Sequence, residues 1–442
     1  PALTALSAGW PVQATPGSGQ RFKTLALVGL LVLLALLGLP LFVALAGGSL
    51  LATYNAGLDP ALLAVELNRL ASSPYLAAIP LFTFAGVMLA AGGAPQRMIQ
   101  LFNASVGWLP GGMAGVCIAS CAFFTAFSGA SGVTILALGG LMFPMLLHAG
   151  YKERFTLGLL TTSGSLGLLF APSLAILLYG IVAGVSIDQM FLAGIGPGLL
   201  LMVMLALYAM YVGRKANVPR HHFSVAALGQ AVREGIWDLL LPVGILYGIF
   251  GGYVTISEAS ACTAVYVLIL EGVIHREVHL TRHLPEILRD TAVLVGSILI
   301  ILSVAMGLTN LLIDEQVPMK ILGWMSTHVD SQLKFLLLLN AFLLIVGCMM
   351  DIFSAIVVVV PLILPIAASY GIHPVHLGII FLANLEIGYS TPPVGINLFI
   401  ASQRFGRPIL SLFRAAVPFL VLMVFWLAMV TYIPEISLWW QD

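Results

Sequence analysis

The sequence predicts an all-α polytopic membrane protein made of two inverted-topology repeats, each with a re-entrant helical hairpin and a discontinuous transmembrane helix. Three observations predict it. The 442 residues are 60% hydrophobic and only 8% charged, where a soluble domain carries about 25% charged residues. The chain matches itself at a shift of 221 residues: Gly86 with Gly307, Pro144 with Pro365, Gly150 with Gly371, Gly167 with Gly388, Pro172 with Pro393, Pro197 with Pro418 and Tyr211 with Tyr432. Two Gly/Pro interruptions, "SGSLGLLFAPS" (163–173) and "GYSTPPVG" (388–395), fall at corresponding points of the two copies.

The elements follow in order. Residues 1–23, rich in Pro, Gly, Ser and Thr, read as a flexible tail. The uncharged run Thr24–Ala46 exceeds a signal-peptide core and reads as a first crossing. The first half, 24–213, then holds a span near 75–91, a hairpin at about 113–149, a broken helix at about 155–184 and a span near 190–213. A cytoplasmic linker is expected at 214–235. The second half, 236–442, holds spans near 236–275, 291–313 and 413–434, a hairpin at about 332–370 and a broken helix at about 373–403. Stretches 95–109 and 317–329 mix aromatic and charged residues and read as interfacial helices. The four cysteines sit in apolar segments and imply no disulfide framework.

Charge sets the orientation. Arg21/Lys23, Arg97, Lys152/Arg154, Arg214/Lys215/Arg220, Arg276/Arg282/Arg289 and Arg404/Arg407/Arg414 fall on one side only if both hairpins enter and leave on the same face. The positive-inside bias makes that side cytoplasmic, with the N-terminus inside and the C-terminus outside. The halves are then inverted copies, the usual build of a secondary transporter.

A broken helix in lipid is tolerated where its freed backbone faces protein or a water-filled cavity. In "GYSTPPVG", Gly388 frees the backbone, Ser390 and Thr391 supply oxygens, and Pro392 with Pro393 remove N–H donors. "FSGASG" (127–132) sets hydroxyls and glycines, Gly129 among them, at the tip of the first hairpin. Its counterpart "GCMMDIFS" carries Asp351, and Glu386 lies one turn before the second break. Ionisable groups in apolar sequence mark functional sites. Oxygen ligands of this kind suit a hard monovalent cation such as Na⁺.

"FSGASGVTILALGGLMFPMLLHAGY", "TTSGSLGLLFAPSLAILLYGIVAGVSI" and "GIHPVHLGIIFLANLEIGYSTPPVGINLFIAS" resemble the large membrane subunit of TRAP (tripartite ATP-independent periplasmic) transporters, over roughly residues 25–435. The resemblance implies an elevator-type, Na⁺-coupled carrier of the bacterial inner membrane, related to the ion-transporter superfamily and lacking any organic cofactor. It implies a small organic-acid substrate handed over by a periplasmic binding protein, and a small four-helix membrane subunit as partner. It implies a first Na⁺ site at Ser128, Ser131, Gly167, Phe170 and Pro172, and a second at Gly347, Gly388, Thr391 and Val394. Gly129, Ser165, Asp351, Glu386, Ser390 and Pro392 are then candidates for substrate binding or coupling. Two positions depart from the family pattern. The first break reads Ala171-Pro172 where the family has a proline pair, and the tip reads "SGAS" where it has "SGSS".

Other readings share these residues. Asp351 and Glu386 also suit a proton-coupled carrier. Re-entrant loops also build channel filters, though inverted halves favour alternating access. "GASG" with Ser131 matches the nucleophile pattern of intramembrane serine proteases, but no histidine occupies a mid-membrane position to serve as base. Nothing points to a nucleic-acid partner; the bilayer is the principal surroundings.

Overall fold

A computed structural model describes residues 76–216, 223–279, 281–314 and 328–441, with positions 43, 46–51, 218, 316, 319–320 and 323. The expected tail, most of the first crossing and most of the interfacial stretch 317–329 lie outside the described residues. The chain divides into two compact units, Ser73–Ile298 with Pro318–Asp442 and Pro1–Ser72 with Leu299–Val317. Of the smaller unit, positions 43 and 46–51 and the end of one long helix are described and helical, with a turn at 316.

The described residues form helices joined by short turns. The first group is α1 (Ala78–Ala91), α2 (Ala94–Val106), α3 (Gly112–Ser128), α4 (Ser131–His148), α5 (Glu153–Ser163), α6 (Leu174–Ala183) and α7 (Ile187–Lys215). Then come α8 (Val225–Phe250), α9 (Ile256–Ile269, continued as a π turn to Ile274) and α10 (His283–Asp314). The last group is α11 (Gln332–Met349), α12 (Ile352–Ser369), α13 (Pro374–Gly388), α14 (Ile396–Phe405) and α15 (Ile409–Tyr432). Among the described residues six helices are long and apolar enough to cross a bilayer, and α1–α2 and α5–α6 are bent pairs with angles of 75° and 46°.

Local chemistry fixes where the helices start. Ser186, Ser224, Thr255, Ser331 and Asp351 each accept a backbone N–H of the first turn that follows, opening α7, α8, α9, α11 and α12. Such caps are worth about 1 kcal/mol each. The Ser224 cap changes the expected linker: 225–235 is the first part of α8, so only 216–224 join α7 to α8.

The larger unit does not split into the two sequence halves, because their elements interleave. α4 packs on α14, and α6 packs on α12. The second helix of each helix pair, α4 and α12, thus lies against the helix that follows the interruption in the other half of the sequence. The outer faces are apolar. Leu199, Val203, Leu207 and Tyr211 recur every fourth residue along α7 and are all exposed. An apolar stripe turned outward at helical spacing fits lipid as the surrounding solvent.

Arg97 departs from the expectation of a surface charge. The α1–α2 elbow at Gly92-Gly93 places it inside, where its guanidinium meets Asp238 of α8 at 2.7 Å, Glu277 at 2.6 Å, and Glu271.

Candidate functional site: two hairpin–break junctions

The first junction joins the α3–α4 turn to the interruption between α5 and α6. α3 ends because Gly129 adopts φ +63°, a left-handed conformation that L side chains avoid, and its N–H caps Thr125. After a 3-10 turn at Leu166–Leu169 and Pro172, α6 starts at Leu174. Gly129 lies directly on the Leu174 side chain, so the hairpin tip abuts the N-terminus of the second half-helix. Gly167 is flush with the α3 backbone, where a Cβ would strike the Ala122 carbonyl and the Ala126 N–H. The Thr125 hydroxyl donates to the Gly164 carbonyl at 2.7 Å and lies 2.8 Å from the Thr134 hydroxyl. Ser128 sits 3.4 Å from that same Thr134 oxygen.

The second junction joins the α11–α12 turn to the interruption between α13 and α14. Gly388 and Gly347 meet backbone to backbone: a Cβ on Gly388 would lie 2.6 Å from the Gly347 Cα and 2.8 Å from the Cys348 nitrogen. The N–H groups of Val394 and Gly395 both donate to the Cys348 carbonyl at 3.2 Å. The Tyr389 hydroxyl accepts the Ile352 N–H, and the Asn397 N–H returns to the Tyr389 carbonyl at 3.0 Å. Thr391 donates to the Ile387 carbonyl at 2.9 Å, closing the last turn of α13.

The two junctions touch. The Asn397 amide donates to the Thr161 carbonyl at 3.3 Å, and α13 packs against the 3-10 turn of the first break. They differ in exposure. The first break is buried from Thr161 to Leu169, whereas Pro393 and Val394 of the second are open at the surface.

Most candidate residues are gathered here, in different roles. Ser128, Gly129, Ser131, Gly167 and Pro172 lie along the first junction. Ser165 bonds back to the Thr162 carbonyl at 3.3 Å. The Phe170 ring rests on Gly198 of α7, leaving its backbone to the junction. Gly347, Gly388, Ser390, Thr391, Pro392 and Val394 line the second junction. Asp351 and Glu386 make no hydrogen bond to each other. Both Asp351 oxygens engage Ser354, its N–H at 3.0 Å and its hydroxyl, as a helix cap. Glu386 is fully buried, and neither of its oxygens has a partner. Sequence reasoning missed Thr125, Thr134, Asn384 and Asn397. The signal was present: a threonine three residues either side of "SGAS", and an asparagine flanking the second break on each side. Apart from the Cys348 thiol, which donates to the Ile345 carbonyl, the polar side chains named at both junctions offer oxygen or amide atoms, which suits a hard cation.

The fold is that of a helical membrane transporter. It aligns with the crystal structure of the Alcanivorax borkumensis YdaH transporter at TM-score 0.55 and 15% identity, over 86% of this chain and 88% of that one. A family model described as "Tripartite ATP-independent periplasmic transporter, DctM component" matches residues 27–436, and the chain belongs to that family. It is 36% identical to the C4-dicarboxylate TRAP transporter large permease protein DctM of Pseudomonas aeruginosa, over 85% of this chain and 88% of that protein. It is 32% identical to the ectoine/5-hydroxyectoine large permease UehC of Ruegeria pomeroyi, over 83% and 86% respectively. The chain is a multi-pass inner-membrane protein and a transporter component, so Ser131 is not a catalytic nucleophile.

Proposed function

We propose that this chain is the large permease of a Na⁺-coupled, elevator-type importer of a small organic acid. The single observation that carries the reading is the pairing of each hairpin with a helix break through glycines 221 residues apart, Gly167 on α3 and Gly388 on α11. Two broken helices in inverted copies create half-helix ends at one depth, whose N-terminal dipoles receive anionic groups while unwound carbonyls hold cations. Ser128, Ser131, Gly167, Phe170 and Pro172 serve one Na⁺, and Gly347, Gly388, Thr391 and Val394 serve another. Relatives named for C4-dicarboxylates and for ectoine support a carboxylate-bearing substrate. Among the described residues no arginine lies at either junction, so the carboxylate is met by helix ends, hydroxyls and bound Na⁺. A periplasmic binding protein delivers it, and a small four-helix subunit packs beside the scaffold helices. The basic clusters support a cytoplasmic N-terminus and a periplasmic C-terminus.

Thermal unfolding in detergent, in NaCl against choline chloride at equal ionic strength, tests this without knowledge of the substrate. Binding only to the folded state stabilises it by about 2.7 kcal/mol when Na⁺ is at a hundred times Kd. The melting temperature rises in a saturable way, and Thr391→Ala and Ser131→Ala each remove part of the rise. A response equal in Na⁺ and choline, for the wild type and both variants, counts against Na⁺ coupling.

A further inference from the structure

We propose that Glu386 forms a third cation site, bordering the second junction and distinct from the two assigned to it and to the first, which takes a single positive charge as Na⁺ or as a proton with its water. On α13, Asn384, Leu385 and Gly388 touch α11, around Gly347 and through Asn340. At 100° per residue, Glu386 stands about 200° from Asn384 and from Gly388, on the side of α13 away from that Gly347 contact. One turn on, where the helix unwinds, is Ser390. Glu386 and Ser390 are fully buried, and both carboxylate oxygens and the Ser390 hydroxyl lack any hydrogen-bond partner. The Asn397 amide nitrogen is bonded to Thr161, but its side-chain oxygen is buried and free. Four oxygens without donors therefore flank one break.

An ionised carboxylate left alone in an apolar interior is very costly. A neutral carboxyl still needs an acceptor for its O–H, and the described residues supply none. The helices packed on α13 bring no charge to it. α6 and α12 carry none; α11 has Lys334 in its first turn, α7 has Asp188 at its start with Arg214 and Lys215 at its end, and α15 has Arg414 near its start. Other titratable groups nearby are committed. Tyr179 donates to the Pro374 carbonyl at 2.7 Å, Tyr389 accepts from Ile352, and His376 bonds Ser437 at 2.6 Å and the Thr431 carbonyl at 3.3 Å. Asp351 caps α12. A bound cation satisfies the carboxylate and gives Ser390 and Asn397 something to coordinate, with oxygen chemistry suited to Na⁺.

The test is a pair of titrations of unfolding temperature on the full chain, using NaCl at fixed pH and pH at fixed NaCl, for wild type and Glu386→Gln. If the site takes Na⁺, Glu386→Gln raises the NaCl concentration for half-response about tenfold or more, as loss of a charged ligand does. If it takes a proton, the NaCl response stays and the pH dependence of the midpoint shrinks. A variant matching wild type in both titrations overturns the site, even where the wild type responds strongly to Na⁺ through the junctions. A wild type without any Na⁺ response but with a Glu386-linked pH response refutes the Na⁺ reading of the junctions and leaves this site standing. Should Glu386→Gln fail to fold, Ser390→Ala decides. That hydroxyl has no bond to lose, so a purely structural role leaves both titrations unmoved and a ligand role shifts one of them.

Discussion

Arg97→Ala is expected to cost the protein about 3–5 kcal/mol, the loss seen when one partner of a buried ion pair is removed. The reason is the elbow between α1 and α2. Arg97 is only 8% exposed, and Asp238 and Glu271 are essentially fully buried. Its Nε and one Nη hold the two Asp238 oxygens at 2.7 and 3.0 Å, the other Nη holds Glu277 at 2.6 Å, and Glu271 completes the fork. Glu277 also accepts the Gly93 N–H at 2.6 Å. At Gly93 a Cβ would run into that carboxylate, and at Gly92 into Glu271, so a side chain at either position would displace a carboxylate that Arg97 holds. Removing Arg97 leaves three carboxylates facing one another. Lysine is a poor substitute, since a single ammonium cannot bridge three partners arranged around a planar fork. Arg97→Met combined with Glu271→Gln is expected to fall less than Arg97→Ala, because it removes a lone charge along with its partner. The pH dependence carries a sign. Burial alone would push the Glu277 carboxyl up, but hydrogen bonding and charge from Arg97 bring it below the ordinary range. Its contribution is thus complete above an ordinary carboxylate value of about 4.3 and fades as pH falls. Unfolding midpoints and the monodisperse fraction in detergent measure all of this. An Arg97→Ala protein within about 0.5 kcal/mol of wild type, the scale of an ordinary surface change, would mean the cluster is hydrated and not structural.

The helix breaks were legible in the sequence, and the Arg97 cluster was not, for reasons of range. Gly129 and Pro172 act on their own backbone: a glycine takes the left-handed turn and a proline withholds a donor, so a local reading finds where a helix ends. Ser224 shows the same physics one residue class over. A capping hydroxyl was there to be read, and it makes 225–235 helix within the stretch 214–235 expected as a linker. Arg97 meets partners 141, 174 and 180 positions away. A charge count sees a lone cation and assigns it to the surface. Asp351 lies between these cases. Its position in apolar sequence marked it, yet the choice between cap and coupling group depended on Ser354 three residues on. Glu386 was marked by the same rule, and only the packing around α13 reveals that it has no partner at all.

Gly167→Ala and Gly388→Ala are expected to be nearly equal in damage, because the same steric problem occurs at both positions 221 residues apart. A Cβ at Gly167 meets the Ala122 carbonyl and the Ala126 nitrogen, with the Thr125 Cβ at 2.6 Å. A Cβ at Gly388 meets the Gly347 carbonyl carbon, its Cα at 2.6 Å and the Cys348 nitrogen at 2.8 Å. Most of these are backbone atoms of packed helices, which cannot rotate aside. Overpacking costs about 1–3 kcal/mol, and the rigid neighbours place both variants at the upper end. The consequence reaches past stability. Lifting Gly388 off Gly347 also pulls Val394 and Gly395 from the Cys348 carbonyl, the bonds that dock the second break on its hairpin. The Na⁺-dependent rise in melting temperature is therefore expected to weaken in both variants beyond what the lower midpoint explains. Gly115 on α3 is the control. Nothing lies within 4 Å of a Cβ built there, and alanine in an open helix interior is favoured by about 0.8–1 kcal/mol over glycine. Gly115→Ala should therefore raise the midpoint while the junction variants lower it. If Gly388→Ala instead behaves like Gly115→Ala and keeps its full Na⁺ response, the glycine contact is slack, and it cannot be what holds the unwound segment against the hairpin.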